Sequence, residues 1–69
     1  MELRIFAERV KELRAAKNLT AQELGVQAGL SKTAIILWEN QKRWPSAENV
    51  SKLARFFGVS SDYLMGNED

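Results

Sequence analysis

The sequence has no cysteine and no histidine, and only one proline and one tyrosine, in 69 residues. Without cysteine there is no disulfide framework, no thiolate metal site and no nucleophilic thiol. Without histidine the usual general base near neutral pH and the commonest zinc ligand are both missing. So short a chain lacking both is expected to be no enzyme, with no catalytic residues, no metal and no cofactor. Long apolar runs are missing as well. The longest, Ala34-Ile35-Ile36-Leu37-Trp38, falls far below the roughly 18 residues that span a bilayer. The start, Met1-Glu2-Leu3-Arg4, opens an amphipathic pattern and not a signal peptide. A soluble, cytoplasmic protein with no membrane partner is expected.

What is present suits one small globular domain covering residues 1–69. The chain is 45% hydrophobic and 28% charged, a balance that separates it from disordered sequences. A chain this short hides only about 60% of its unfolded surface, so oligomerisation would help it. The formal net charge of +1 names no polyanion partner by itself, but its distribution is uneven. Residues 41–55 carry Lys42, Arg43, Lys52 and Arg55 against Glu48, whereas residues 56–69 carry only the acids Asp62, Glu68 and Asp69. Either a modest polyanion-facing surface or an ordinary mixed, solvated one fits this pattern.

Apolar spacing predicts five helices and no strands. Leu3, Phe6, Val10 and Leu13 mark one face of a helix over about 3–17, ended by Asn18. Thr20 and Glu23 fit a capping box that opens a short helix over 21–28, with Leu24 and Ala28 inward and Gly29 as its stop. Gly25 lies inside that helix, where glycine costs about 1 kcal/mol relative to alanine, so a close helix crossing is expected there. Ser31 caps a third helix, 32–39, with Ile35 and Trp38 inward. A polar loop, Asn40-Gln41-Lys42-Arg43-Trp44-Pro45, follows, with Pro45 in the first-turn region of the next element. Ser46 caps a helix over about 46–57, whose inward set is Ala47, Val50, Leu53, Ala54 and Phe57, and which Gly58 ends. Ser60 or Ser61 caps a last short helix, 61–65, closed by Gly66. The capped helix, glycine turn and second helix of residues 20–38 have the spacing of a helix-turn-helix. By spacing alone, any tight helical hairpin would fit as well.

The segments Leu19-Thr20-Ala21-Gln22-Glu23-Leu24, Ala28-Gly29-Leu30-Ser31-Lys32-Thr33-Ala34-Ile35, Trp38-Glu39-Asn40 and Gly58-Val59-Ser60-Ser61-Asp62-Tyr63-Leu64-Met65-Gly66 resemble the Cro and phage-repressor (XRE-type) helix-turn-helix family. The likeness runs from about Phe6 to Gly66. It implies an all-α, compact five-helix, lambda-repressor-like domain with a central helix-turn-helix. It also implies a sequence-specific DNA-binding regulator, of the phage or prophage repressor type, that occupies a palindromic operator on double-stranded DNA as a homodimer. Carried over by position, Lys32 and Thr33 fall where the family's recognition helix reads base edges. Gln22 falls at a phosphate-contacting helix start, and Asn40, Lys42 and Arg43 in a backbone-contacting loop. Arg14 and Glu39 match a family salt bridge between the first and third helices, a structural pair.

This chain also departs from the family pattern. Ala21 stands where a phosphate-contacting Gln is usual. Gln41 and Trp44 replace the common Gly and Asn of the loop. Trp44 can lie against a sugar-phosphate or cover the core's edge, and the second reading is preferred. Ile36 and Leu37 occupy the outer face of the recognition helix, where polar residues are usual. Three roles are open to them: reading thymine methyls, forming an apolar patch for a protein partner, or lying partly under neighbouring side chains. The patch is the basis of an alternative, a protein-interaction module on the same fold. Phe56 points outward by its neighbours' register. With Tyr63, Leu64 and Met65 it forms either a self-complementary dimer patch or, if Leu64 is core, a scattered exposed aromatic.

Overall fold

Helix boundaries in this chain are set by local hydrogen bonding. The structure, a computed structural model, describes residues 2–67, which form five helices with no strand among them. Helix α1 (Leu3–Ala16) ends where Asn18 takes a left-handed φ of 56°. There the amides of Asn18 and Leu19 donate back to the carbonyls of Ala15 and Arg14, at 2.9 and 3.2 Å. Helix α2 (Ala21–Ala28) opens on the predicted capping box. The Glu23 amide donates to Thr20 Oγ1 at 3.0 Å, and the Thr20 amide donates to Glu23 Oε1 at 2.9 Å, so two orphan donors are satisfied at once. Ser31, Ser46 and Ser60 each accept an amide at the start of α3 (Lys32–Glu39), α4 (Ala47–Phe57) and α5 (Ser61–Met65).

The apolar faces of these helices converge on one core. Phe6 and Val10 of α1 meet Leu24 of α2, Ala34, Ile35 and Trp38 of α3, Val50, Leu53 and Ala54 of α4, and Leu64 of α5. The rings of Phe6 and Trp38 pack edge to face, with centroids 6.0 Å apart, the arrangement that aromatic quadrupoles favour. Half-buried Leu3, Leu13, Leu19, Leu30 and Val59 close the periphery. Helix α3 is thus held against α1 and α2 by three of its eight residues.

Several expectations need correction. Lys17 is the C-cap of α1 and not its last turn, and Ser46 is a cap and not a helical residue. Pro45 precedes that cap and is buried, so it anchors the loop instead of occupying the first turn of α4. Ala47 is exposed: it shares the apolar face of α4 but lies a turn beyond the edge of the core. Ala28 and Phe57 are half-buried and pack against the core without entering it. Phe56 does not simply point outward. It is half-buried, edge-on to Phe57 at 5.1 Å, with the Lys17 ammonium 5.7 Å from its ring centroid.

Candidate nucleic-acid interface

The turn between α2 and α3 fixes how α3 is presented. Gly29 adopts φ 73°, open to glycine without a Cβ penalty. The Gly29 and Leu30 amides both donate to the Gly25 carbonyl, which folds the chain tightly back over α2. The turn is braced from α1 by Arg14. Its Nε and Nη2 donate to the two carboxylate oxygens of Glu39 at 2.7 and 2.8 Å, while Nη1 donates to the Leu19 carbonyl at 2.7 Å. One guanidinium therefore ties α1 to the end of α3 and to the strand of chain entering α2. The hydrogen bond to Glu39 raises the Arg14 pKa against a smaller opposing effect of burial, so the guanidinium stays charged.

With α3 anchored on one side, its other side is free for contact. Ala34, Ile35 and Trp38 face the core. At about 100° per residue, Lys32, Thr33, Ile36, Leu37 and Asn40 fall on the opposite arc. Lys32 and Thr33 are exposed, and Ile36 keeps 40% of its surface in solvent. Leu37 is half-buried, because it sits at the margin of that arc and turns partly toward the protein. The outer-face expectation therefore holds for Ile36 and only in part for Leu37. Asn40 is already engaged: its Nδ2 and its backbone amide both donate to the Ile36 carbonyl at 3.0 Å.

Charge flanks this helix. Lys42 and Arg43 are exposed in the loop after α3, and Gln22 is exposed near the start of α2. Glu23 carries a carboxylate at that same helix end, so an anion there would depend on the Gln22 side-chain amide more than on field. The loop is ordered by its own bonds. Gln41 adopts φ 58°, its amide donates to Trp38, and the Lys42 amide donates to Leu37 at 2.8 Å. This is a Schellman closure with glutamine in the left-handed position.

Trp44 is 58% exposed, which overturns the preferred reading that it covers the edge of the core. The adjacent Pro45 takes the buried place, leaving the indole outside. Residue type pointed the other way, since tryptophan is on average the more buried of the two. The remaining candidates, Phe56, Tyr63 and Met65, do not form one compact patch. Phe56 sits by Lys17 at the C-terminal end of α1, and the Met65 carbonyl accepts from Glu2 at its N-terminal end. Between them the Arg9 guanidinium stacks 4.2 Å from the Tyr63 ring centroid and donates to the Tyr63 carbonyl, an anchor that sequence reading missed. Leu64 is fully buried core.

This geometry has close counterparts. A helix-turn-helix family model matches residues 10–64. The HTH-type transcriptional activator BcrR of Enterococcus faecalis is 39% identical over 64 residues, covering 93% of this chain and 31% of its own length. An HTH-type transcriptional regulator of Methanocaldococcus jannaschii is 38% identical over 61 residues, 88% of this chain and 92% of its own. The cryptic phage CTXphi transcriptional repressor RstR of Vibrio cholerae is 28% identical, covering 94% of this chain and 59% of its own. The chain thus spans about a third of the Enterococcus activator and under three fifths of the Vibrio repressor. The crystal structure of the restriction-modification controller protein C.AhdI from Aeromonas hydrophila matches with a TM-score of 0.81 and 32% identity, covering 90% of this chain and 94% of that one. On the strength of the family match and these relatives, the chain belongs to the XRE-type helix-turn-helix family of transcriptional regulators.

Proposed function

We propose that the chain is a transcriptional repressor of the phage or prophage type, occupying a palindromic DNA operator as a homodimer. The observation that carries this reading is the solvent-facing arc of α3, where Lys32, Thr33 and Ile36 stand clear of a helix pinned by Ile35 and Trp38. An α-helix fits the B-DNA major groove, which is about 12 Å wide. Lys32 donates to guanine O6 or N7, Thr33 bonds a base edge or touches a thymine methyl, and Ile36 with the outer part of Leu37 meets thymine methyls. Gln22, Lys42, Arg43 and the remaining polar capacity of Asn40 hold phosphates on either side. Repression is the simpler mode, because occupancy of an operator needs no further protein surface. The relatives' names include an activator and a repressor.

Two-fold symmetry sets the spacing of such a dimer: its recognition helices lie about 34 Å apart, facing successive major grooves. Phe56, Tyr63 and Met65 supply candidate contact surface along the α1 side. The exposure of Ile36 supports a second reading, a protein-interaction module using Ile36 and Leu37. Selection of bound sequences from a random duplex pool separates the two readings. Enrichment of a palindrome, with affinity that falls steeply as salt rises, is expected for the repressor. No enrichment and no salt dependence would favour the module.

A further inference from the structure

Trp44 is one of three large apolar side chains exposed among the described residues, with Val26 and Ile36, and its neighbours indicate what covers it. The side chain is 58% exposed although the loop beneath it is fixed at both ends. On one side the Gln41 and Lys42 amides close the end of α3, and on the other Pro45 is buried and Ser46 caps α4. The ring is therefore held out from an ordered platform and does not ride on a slack loop. Exposed Lys42 and Arg43 precede it directly in the sequence, so the short loop that carries the indole also carries two positive charges. An apolar protein surface would have to desolvate both cations, whereas a nucleic-acid backbone pairs with them and offers the apolar faces of its sugars to the ring.

We propose that Trp44 lies flat against the deoxyribose-phosphate backbone beside the groove that α3 enters, a sequence-independent contact that sets how deeply α3 sits. This rests on the DNA-binding reading. Lys42 and Arg43 neutralise the flanking phosphates, while Trp44 excludes water between them. Such an apolar contact adds affinity without adding an ion pair, so it leaves the salt slope unchanged.

The test uses a random-sequence duplex of about 30 base pairs, long enough for two half-sites one helical turn apart, with binding followed by anisotropy of a label on the DNA. Tryptophan emission is quenched with acrylamide, a neutral quencher that the DNA charge does not repel. Trp38 is only 1% exposed, so the accessible signal belongs to Trp44. Saturating duplex is expected to cut acrylamide quenching of that signal several-fold. Trp44→Ala is expected to weaken binding about tenfold on every sequence with the salt slope unchanged, and Trp44→Phe to restore most of it. A collapsed loop would instead misplace Lys42 and Arg43 and lower the slope, which would overturn the assignment. So would a Trp44 that stays fully quenchable in the saturated complex, a measurement made on the unaltered chain. Shielding that grows with protein concentration in the absence of DNA would assign the ring to a second copy and also overturn it. Absence of any anisotropy change at low salt would remove the DNA-binding reading itself, and this inference with it.

Discussion

Gly25 and Leu30 approach so closely that a Cβ on Gly25 would stand 2.6 Å from the Leu30 carbonyl oxygen. The obstacle is backbone, which cannot rotate away as a flexible side chain would. Helix propensity alone predicts that Gly25→Ala stabilises α2 by about 1 kcal/mol. The contact predicts the reverse. Overpacking of this kind costs about 1–3 kcal/mol, which offsets or exceeds the propensity gain, and with a backbone atom as the obstacle the urea midpoint is expected to fall. The α2–α3 angle shifts with it, and duplex affinity is expected to drop more than the loss of folded protein explains. An unchanged or higher midpoint would show that the turn gives way freely.

The Arg14–Glu39 pair is expected to behave as a coupled unit. Side-chain exposure is 22% for Arg14 and 8% for Glu39, so water screens the pair poorly and either partner left alone is a partly buried charge. Glu39→Gln or Arg14→Met is expected to cost about 2–4 kcal/mol each, and the double variant less than their sum. The check is a denaturation cycle on the four proteins. Additive losses would mean that the two side chains are neighbours without energetic coupling.

Much of this arrangement was legible in the sequence because it is local. Thr20 with Glu23, Ser31 and Gly29 act within a few residues, so their roles could be read from spacing. The core of α3 was legible for the same reason, Ile35 and Trp38 being three apart on one face. The positions of Trp44, Phe56 and Ala47 were not. Each depends on whether some other segment reaches over it, and neither helical period nor residue type states where the core ends. Arg9 over Tyr63, 54 residues apart, left no local signal at all.

The left-handed residue at the end of α3 offers a gain in stability. Gln41 holds φ 58°, a conformation that costs an L-residue with a Cβ about 1–2 kcal/mol, offset in part by the greater unfolded entropy of glycine. Gln41→Gly is expected to stabilise the fold by about 0.5–1 kcal/mol. Asn18→Gly, at φ 56° in the matching position after α1, is expected to change stability by only a few tenths, since asparagine tolerates this region. Thermal melts of the two variants side by side decide it. Equal shifts would mean that side-chain contacts, and not the backbone, set the energy at these positions.

The outer face of α3 is where sequence preference is expected to reside, and Ile36 is its sharpest probe. Leu37→Ser would disturb packing as well as contact, because Leu37 is half-buried, whereas Ile36 is exposed and can change without a core defect. If Ile36 covers thymine methyls, Ile36→Ser gives up roughly 1 kcal/mol per methyl contact. Discrimination for T is then lost at one or two operator positions in a selection from a random duplex pool. Lys32→Ala, run in parallel, is expected to lose about 1–3 kcal/mol and to relax preference at a guanine instead. Both variants keep Lys42 and Arg43, so their low-salt affinity for non-specific duplex is expected to survive. The two losses must fall at different bases, since the side chains are four residues apart and lie about one helical turn from each other along α3. A selection in which Ile36→Ser matches the parent at every position would remove Ile36 from base reading and leave its exposed surface for a protein partner.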